Sequence, residues 1–303
     1  MRHRLMGLHH VTATVDGAQE DLDFYAGLLG LRLVKKTVNF DNNKVYHFYY
    51  GDERGAPGTI MTTFPYRGHG VRDGVKGTGQ ITVTSFAVAG SSLDFWRKRL
   101  SEAGVRYKEE SRFGDPLIAF DDPSTLRLEL IGDDEDDRVP NAIKGLGSVT
   151  LSLADPTETI SLLTDVLGFS VVGEEANRLR LEADVAGTGG RIEILHEADR
   201  EPGINGIGTV HHVALAISTE DEQATLREHL LDLGLQVTPF RDRKYFRSIY
   251  FREPGGVLIE AATIGPGFTV DEPIETLGRE LRLPEWEEPN RSEIERELPS
   301  IVY

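Results

Sequence analysis

Residues 8–15 read LHHVTATV and residues 209–217 read TVHHVALAI, two stretches in which a histidine doublet stands near the start of an alternating, β-branched segment. This alternation predicts a β-strand with one face directed toward a core. Two similar stretches without the doublet lie between them, QITVTSFAV (80–88) and GSVTLSLA (147–154). The four segments recur at intervals of roughly 60 to 70 residues, which indicates an internal repeat.

Each predicted strand is followed by a predicted helix. Apolar residues recur there at steps of three and four, and a glycine follows in a position typical of a left-handed helix end. A short apolar strand comes next in every case (LRLV, VRY, FSVV and LQVT). The apolar positions are Leu22, Tyr25 and Leu29; Leu93, Trp96 and Leu100; Ile160, Leu163 and Leu167; and Leu226, Leu230 and Leu233, and the glycines are Gly30, Gly104, Gly168 and Gly234.

The ends of the repeats also match. Residues 120–129 read FDDPSTLRLE and residues 251–260 read FREPGGVLIE, and the two align without a gap, with proline at a turn and glutamate on the closing strand. The sequence therefore predicts an α+β protein in which one βαβββ module occurs four times.

The repeat divides the chain into four modules and a tail. Their predicted bounds are 1–66, 79–132, 145–197, 208–264 and, for the tail, 265–303. Stretches rich in glycine or charge separate the modules, at Tyr66 to Gly79, Asp133 to Asp137 and Glu197 to Gly208. The tail is rich in proline and glutamate, and we expect it to wrap over the surface or over a partner subunit.

The amino-acid composition argues against several classes of function. Asp and Glu number 50 against 33 Lys and Arg, a net charge of −17 that disfavours nucleic acid and anionic membrane surfaces as partners. The absence of cysteine excludes disulfides, thiolate nucleophiles and iron–sulfur clusters, so a metal would have to bind His, Asp or Glu. No apolar run has the length of a membrane span, and the first residues lack the apolar centre of a signal peptide. We therefore expect a cytoplasmic protein.

Aligning the modules compares equivalent strand positions. On the first strand, the position of His10 is occupied in order by His10, Val83, Leu151 and His212. On the last strand, the corresponding residues are Thr62, Glu129, Glu193 and Glu260. Modules one and four thus offer two imidazoles and one carboxylate, whereas modules two and three offer glutamates opposite aliphatic residues and are predicted to be scaffold.

Two histidines and one carboxylate make up the facial triad of non-haem Fe(II) oxygenases. A strand histidine is often only a hydrogen-bonded, buried side chain, but the recurrence of the doublet favours a metal site. Adjacent strand residues point to opposite faces, so one histidine of each doublet is a direct ligand unless a bulge intervenes. Alternation leaves open which one it is, although it places Thr12 on the face of His10.

At this level of detail the chain resembles the vicinal oxygen chelate superfamily, which includes glyoxalase I, extradiol dioxygenases and antibiotic-resistance proteins. The resemblance rests on the repeat, both doublet strands and the closing hairpin FREPGGVLIE. Within that superfamily the chain is similar to ring-cleaving dioxygenases of hydroquinones, over nearly its whole length. The further motifs are DFYAGLLGLRLVKKTVNFD (23–41), YHFYYGD (46–52), RDRKYFRSIY (241–250) and LPEWEEPNRSEIERELP (283–299).

The resemblance implies an Fe(II) site, with Mn(II) as a substitute, held by His10, His212 and Glu260. It implies roles next to the metal or the substrate for five further residues. Of these, His211, Tyr250 and His9 are the candidates for proton transfer, and Thr12 and Arg243 for substrate binding. The implied activity is ring cleavage of a hydroquinone by O₂, beside the ring oxygen that binds the metal.

Ligand convergence has an architectural consequence. If His10 and Glu260 bind one ion, modules one and four share a cup, either within a chain or by exchange between subunits, and modules two and three form a matching cup. We therefore expect two cup-shaped half-barrel sheets with helices outside, and a homo-oligomer. The alternatives are a glyoxalase-like isomerase or lyase, which Thr62 disfavours because such an enzyme often needs another carboxylate there, and a non-enzymatic protein that binds a small aromatic compound.

Overall fold

The computed structural model describes residues 2–133 and 139–303. Within them, sixteen strands form two curled half-barrel sheets of eight strands each, so the predicted α+β fold with two cup-shaped sheets is confirmed. Residues 134–137, most of the predicted acidic linker, lie outside the described residues.

The strands follow the predicted order of the repeat. The first eight are β1 Leu8–Val15, β2 Arg32–Asn39, β3 Asn42–Gly51, β4 Ile60–Pro65, β5 Gln80–Ala89, β6 Tyr107–Arg112, β7 Asp115–Asp121 and β8 Arg127–Asp133. The others are β9 Ile143–Leu153, β10 Ser170–Glu175, β11 Arg178–Glu182, β12 Arg191–His196, β13 Thr209–Ile217, β14 Arg241–Asp242, β15 Phe246–Arg252 and β16 Leu258–Pro266.

The helices are short, and two of them continue as π-helical turns. They are α1 Ala18–Leu22, continued by Asp23–Leu28; α2 Leu93–Glu102; α3 Thr157–Ser161, continued by Leu162–Val166; α4 Glu220–Asp232; and α5 Arg291–Glu297. Short 3₁₀ turns occur at Gly90–Ser92, Phe268–Val270, Ile274–Thr276 and Glu288–Asn290. Across the described residues, none of these helices combines the length and the apolar character needed to cross a bilayer.

The predicted helix ends and apolar faces are largely correct. All four glycines that follow the helices have φ between 71° and 87°. The apolar positions are buried except Ile160, which is half-buried, and Leu233, which is 52% exposed because α4 ends one residue before it.

The two ends of the chain build one sheet. Its strand order is β14-β15-β16-β13-β1-β4-β3-β2, and the order in the second sheet is β10-β11-β12-β9-β5-β8-β7-β6. Strands of the first and fourth repeats are therefore joined within a single chain, through the antiparallel pair of β1 and β13. No exchange between subunits is needed to bring His10 to Glu260.

The two sheets repeat each other down to their bulges. On β1 and β13, an extra residue is accommodated at His9 and at His211. In the second sheet, the corresponding bulges on β5 and β9 fall at Thr82 and Gly147. Each histidine doublet thus begins at a bulge, the case in which strict alternation of side chains fails.

This register corrects one predicted equivalence. Glu193 pairs with Thr150 as Glu260 pairs with Ala214, so Glu193 does occupy the predicted glutamate position. Two residues before Thr150 stands Ser148, which is therefore the counterpart of His212. The assignment of Leu151 was wrong by three residues, because module three has no histidine to mark the position and the apolar residues of β9 allow more than one alignment.

The fourth module departs from the repeat. After Gly234 the sequence predicts a strand at LQVT, but the structure has only an isolated bridge between Val237 and Phe251, and β14 is two residues long. Pro239 follows directly and cannot donate a ladder hydrogen bond, which explains why pairing stops there.

The two predicted glycine-rich linkers pair with each other. Bridges join Asp73 to Ile207 and Val75 to Ile204, so the segment after module one runs along the segment before module four. These contacts add to the connection between the first and last modules. The module bounds themselves remain predictions.

The C-terminal tail covers the first sheet of its own chain. Leu281 bridges to Lys36 on the edge strand β2, and Trp286 packs against Phe40 with ring centroids 5.6 Å apart. Lys35 is completely buried beneath the tail, where Asp271 and Glu272 both accept from its ammonium group. The tail therefore protects an edge that would otherwise offer unpaired backbone groups.

In the second cup, arginines surround the two repeat glutamates. Arg112 Nη1 lies 2.9 Å from Glu129 Oε2 and 3.2 Å from Glu193 Oε2. Arg178 and Arg180 also donate to the Glu193 carboxylate, each over 3.0 Å. Every carboxylate charge here has a buried guanidinium partner, as a buried charge requires.

We expect Arg112→Ala to lower the free energy of unfolding by about 3 kcal/mol, because removal of one partner leaves buried carboxylates without compensation. Chemical denaturation measures the effect. The matched control is Arg127→Ala, which removes an ion pair to Asp121 whose arginine is 34% exposed, and its cost should stay below about 1 kcal/mol. Equal costs for the two variants would contradict this account of the network.

Candidate metal centre

Three side chains from three strands meet in the first cup. His10 on β1, His212 on β13 and Glu260 on β16 each offer a ligand atom, and these atoms all lie within 4.8 Å of one another. The two Nε2 atoms are 3.2 Å apart, and Glu260 Oε2 lies 3.3 Å from that of His10 and 2.8 Å from that of His212. Among the described residues, this is the one group of three or more such side chains close enough to hold a metal ion.

The pairing of the strands produces this convergence. Ala214 of β13 stands opposite His10 on one side and opposite Glu260 on the other. His212 lies two residues before Ala214 and so faces the same side of the sheet. Three residues far apart in the chain are thereby fixed by adjacent backbone ladders.

The burial and ionisation of the Glu260 carboxylate suit the binding of a cation. Its side chain is completely buried, Ser248 donates to Oε1, and Oε2 has no hydrogen-bond donor. Burial acts to raise the pKa of Glu260, but the nearby imidazoles of His10 and His212 outweigh it and hold this pKa well below its usual range. Burial also lowers the pKa of His212, which favours the neutral imidazole that metals bind. A buried anionic oxygen between two imidazole nitrogens fits a 2-His-1-carboxylate metal site.

The first histidine of each doublet supports the second. Nδ1 of His9 lies 2.9 Å from Nδ1 of His10, and Nδ1 of His211 lies 2.7 Å from Nδ1 of His212. Such a contact can fix the orientation of a ligand ring. The bulges at His9 and His211 make these contacts between sequence neighbours feasible.

The two supporting histidines differ in their access to the cavity. His211 lines it and is exposed, whereas His9 is 2% exposed, packs against Phe246 at a centroid distance of 5.0 Å and does not line it. Burial, and then the neighbouring His10, lowers the pKa of His9 to about 3. The position of His9 suits a contact to His10 better than a contact to substrate.

The remaining predicted site residues also line the cavity. Arg243 Nε donates to the Tyr250 hydroxyl over 3.1 Å, and Arg243 Nη2 lies 3.2 Å from Asp41 Oδ2. Burial raises the pKa of Tyr250, and the nearby Glu260 charge raises it further, so the phenol stays protonated. Thr12 is fully buried and accepts a hydrogen bond from Thr62 over 2.9 Å.

The cavity has a volume of about 200 Å³, and half of its wall comes from residues that sequence reasoning missed. Three of these lie at the end of β2 and in the turn after it, and the others are aromatic or imidazole side chains. His47 and Tyr49 could have been found, since alternation along YHFYYGD places them on one face. The missed residues are Asn39, Phe40, Asp41, His47, Tyr49, Phe64, Tyr66 and Phe246.

Comparison with known proteins agrees with this fold and site. Residues 7–130 and 145–261 match the family model described as the Glyoxalase/Bleomycin resistance protein/Dioxygenase superfamily. The chain is 44% identical to the protein named "Putative ring-cleaving dioxygenase MhqO" of Bacillus subtilis strain 168, over 98% of this chain and 97% of the relative. It is 37% identical to the chlorohydroquinone/hydroquinone 1,2-dioxygenase of Sphingobium indicum, over 92% of each chain.

Solved structures extend the comparison. A crystal structure of a protein described as a "putative dioxygenase" from Bacillus subtilis matches with a TM-score of 0.94 and 43% identity, over 99% of this chain and 98% of that one. Glyoxalase I from Zea mays matches with a TM-score of 0.65 and 14% identity, over 86% and 92%, and shares the fold.

Two curled sheets of repeated βαβββ modules with polar side chains converging in one cup are typical of the vicinal oxygen chelate class. The chain belongs to the glyoxalase/bleomycin resistance protein/dioxygenase superfamily. Its relatives of 37% and 44% identity are named as ring-cleaving dioxygenases.

We expect Glu260→Gln to weaken the affinity for Fe(II) by more than about 100-fold, beyond the loss typical of an outer hydrogen-bond partner, because the neutral amide removes the only carboxylate of the cluster. Anaerobic metal titration followed by elemental analysis gives the measurement. Glu285→Gln, at an exposed position of the tail, serves as the control and should bind as the wild type does. Unchanged iron stoichiometry in Glu260→Gln would mean that the ligand is misassigned.

Proposed function

We propose that this protein is an Fe(II)-dependent, extradiol-type dioxygenase that cleaves the ring of hydroquinone or a substituted hydroquinone. Both atoms of O₂ enter the product, and the ring opens beside a carbon that carries a hydroxyl group. The observation that carries the proposal is the buried triad of His10, His212 and Glu260 in a cavity of single-ring size. Relatives over nearly the whole chain, one of them named a chlorohydroquinone/hydroquinone 1,2-dioxygenase, support the substrate class.

The three residues of the triad would hold the metal. Fe(II) supplies an electron-rich centre with open positions that lets a closed-shell ring react with O₂, and Mn(II) is the substitute that we propose alongside it. Two neutral imidazoles and one carboxylate leave a net charge near +1 at such a site, which suits an anionic phenolic oxygen.

The cavity limits the substrate to one ring. A cavity of about 150 Å³ is enough to bind benzene, so a cavity of about 200 Å³ takes a ring with small substituents. Phe40 and Phe64 supply apolar surface for it, and both line the same space. The protein therefore binds and orients the ring while excluding most water from the triad.

Polar groups on the wall would hold the substrate oxygens. Arg243 is a permanent donor, and its hydrogen bond to the Tyr250 oxygen leaves the Tyr250 hydrogen free to be donated to an oxyanion. Thr12 adds a hydroxyl beside the His10 ring. These contacts would fix which carbon of the ring faces O₂.

His211 is the proton donor that we propose for the oxygen released when the ring opens. It lines the cavity, is open to solvent for reprotonation and contacts His212 through Nδ1. Burial, and then the neighbouring His212, lowers the pKa of His211 to about 3, so the imidazole gives up a proton readily once it has gained one. We propose no direct contact between His9 and the substrate, because His9 lies behind His10.

The decisive test is oxygen consumption. Protein loaded with Fe(II) under anaerobic conditions should consume one O₂ per hydroquinone on mixing with aerated buffer and should form a ring-opened, absorbing product. Protein with Glu260→Gln is the control and should consume none. Absence of uptake with hydroquinones and catechols alike would end the dioxygenase proposal, and conversion of a substrate without oxygen would favour the isomerase or lyase alternative.

A second prediction concerns His211. We expect His211→Ala to keep its iron and to lower kcat by roughly 100-fold, the loss typical of a missing general acid or base. Steady-state oxygen uptake and elemental analysis of the same sample measure both quantities. Full turnover with full iron content would remove His211 from the mechanism.

A further inference from the structure

The second cup shows that the two glutamates on the last strands of its modules point toward each other. Its two glutamates, Glu129 and Glu193, both lie within hydrogen-bond distance of one atom, Arg112 Nη1. The last-strand positions of both modules in a sheet therefore converge on one point. Because the pairing of β1 with β13 repeats that of β5 with β9 through the two bulges at His9 and His211, the same convergence applies to the first cup.

In the first cup, the counterpart of Glu193 is Glu260 and the counterpart of Glu129 is Thr62. Thr62 pairs with Thr12 across the parallel ladder, as Glu129 pairs with Ser85. His10, His212 and Glu260 occupy three of the four converging positions, and Thr62 occupies the fourth. Threonine leaves this fourth position without a carboxylate ligand, and Thr62 is itself fully buried.

His47, which the sequence analysis did not propose as a site residue, lies next to Thr62. Nε2 of His47 lies 2.9 Å from the Thr62 hydroxyl oxygen, and the Thr62 hydroxyl donates to Thr12 over 2.9 Å. Since Thr62 has a single hydrogen and gives it to Thr12, it accepts from His47. This network assigns the His47 proton to Nε2 and leaves Nδ1 as a proton acceptor.

The ring of His47 is held firmly and borders the substrate space. Its centroid lies 4.0 Å from that of Tyr49 and 4.3 Å from that of Phe64, and His47 lines the cavity. A ring fixed by two aromatic neighbours and one hydrogen bond loses little entropy when substrate binds.

We propose that His47 is a catalytic base of this site, which takes the proton from a substrate hydroxyl bound in the cavity that His47 lines. The O–H bond of the phenol breaks and an N–H bond forms at Nδ1, so a neutral ring and a neutral phenol become an imidazolium and a phenolate. The proton stays in the cavity and is available to a later oxyanion. This inference rests on the proposed function and adds a residue to it.

The electrostatic setting keeps His47 in its neutral form, although the same lowered pKa makes it a weaker base than a free imidazole. Burial lowers the pKa of His47 well below its usual value, and the charges of His10, His212 and Arg243 lower it further. His47 is therefore neutral near pH 7, the form that can accept a proton. The Thr62 hydrogen bond then favours the imidazolium once it has formed, because a charged donor bonds more strongly.

The test compares His47→Gln with the wild type. Glutamine keeps an N–H that can reach Thr62 but has no basic nitrogen, so we expect kcat for hydroquinone to fall by about 100-fold or more while KM changes by less than about threefold. Iron content should be unchanged, because His47 is not a ligand. In anaerobic difference spectra, bound hydroquinone should show the phenolate band in the wild type and the neutral phenol band in His47→Gln.

The control is His196→Gln, an exposed histidine at the end of β12 in the second sheet, which should match the wild type in every measurement. Wild-type kcat together with the phenolate band in His47→Gln would overturn the proposal. Loss of iron in that variant would also overturn it, because His47 would then act on the ligands. If the wild type itself neither binds nor consumes hydroquinone, the proposed function fails instead.

A second variant keeps the proposal testable if His47→Gln does not fold. Thr62→Val is close in shape and removes only the acceptor that fixes the His47 tautomer, so we expect about a tenfold lower kcat with unchanged iron. An unchanged kcat in Thr62→Val would contradict the assigned tautomer and with it the proposal.

Discussion

The structure depends on one buried negative charge. The Glu260 carboxylate is completely enclosed, and its oxygen Oε2 faces two imidazole nitrogens without receiving a hydrogen bond. A carboxylate in such a place is stable only with a positive partner close by. The residues that can hold this partner lie on β1 and β13, near opposite ends of the chain. The charge of Glu260 is therefore balanced only when these two strands pair.

The two cups satisfy the same constraint by different means. In the second cup, guanidinium groups of Arg112, Arg178 and Arg180 fill the space between the repeat glutamates, and every carboxylate has fixed donors. In the first cup, imidazoles replace the arginines, so the charge balance falls to protons or a metal ion. The cavity of about 200 Å³ lies beside this cluster.

Periodicity in the sequence was enough to predict most of the scaffold. The four repeats, the glycines after the helices and the strand positions of the two histidine doublets and Glu260 derive from a repeat that is visible in one chain. The choice of His10 and His212 within the doublets came from the family resemblance. Periodicity did not predict the register of module three, because Ser148 stands where module four has His212 and the neighbouring apolar residues do not fix the alignment. Bulges at His9 and His211 likewise let both members of a doublet interact, which alternation alone argued against.

The cavity wall was less predictable than the triad because it depends on a turn and on strand curvature. Asn39, Phe40 and Asp41 reach the site only because the β2–β3 turn folds over the cup, and the tail holds that turn through Trp286 against Phe40. A repeat pattern in the sequence cannot predict such a contact between residues nearly 250 positions apart. His47 is an intermediate case, since the face of β3 was predictable and its hydrogen bond to Thr62 was not.

Thr62 stands at the position where the two cups differ most in charge. A glutamate there, as in the other three modules, would place a second carboxylate beside Glu260, and the pair would need another cation or a shared proton. Threonine removes that charge and retains a hydroxyl that lies 2.9 Å from Nε2 of His47. The same replacement lets a neutral His47 lie close to the triad without forming an ion pair. One residue of the repeat thus separates a centre of paired buried charges from the site at which we propose that a ring and O₂ meet a proton acceptor.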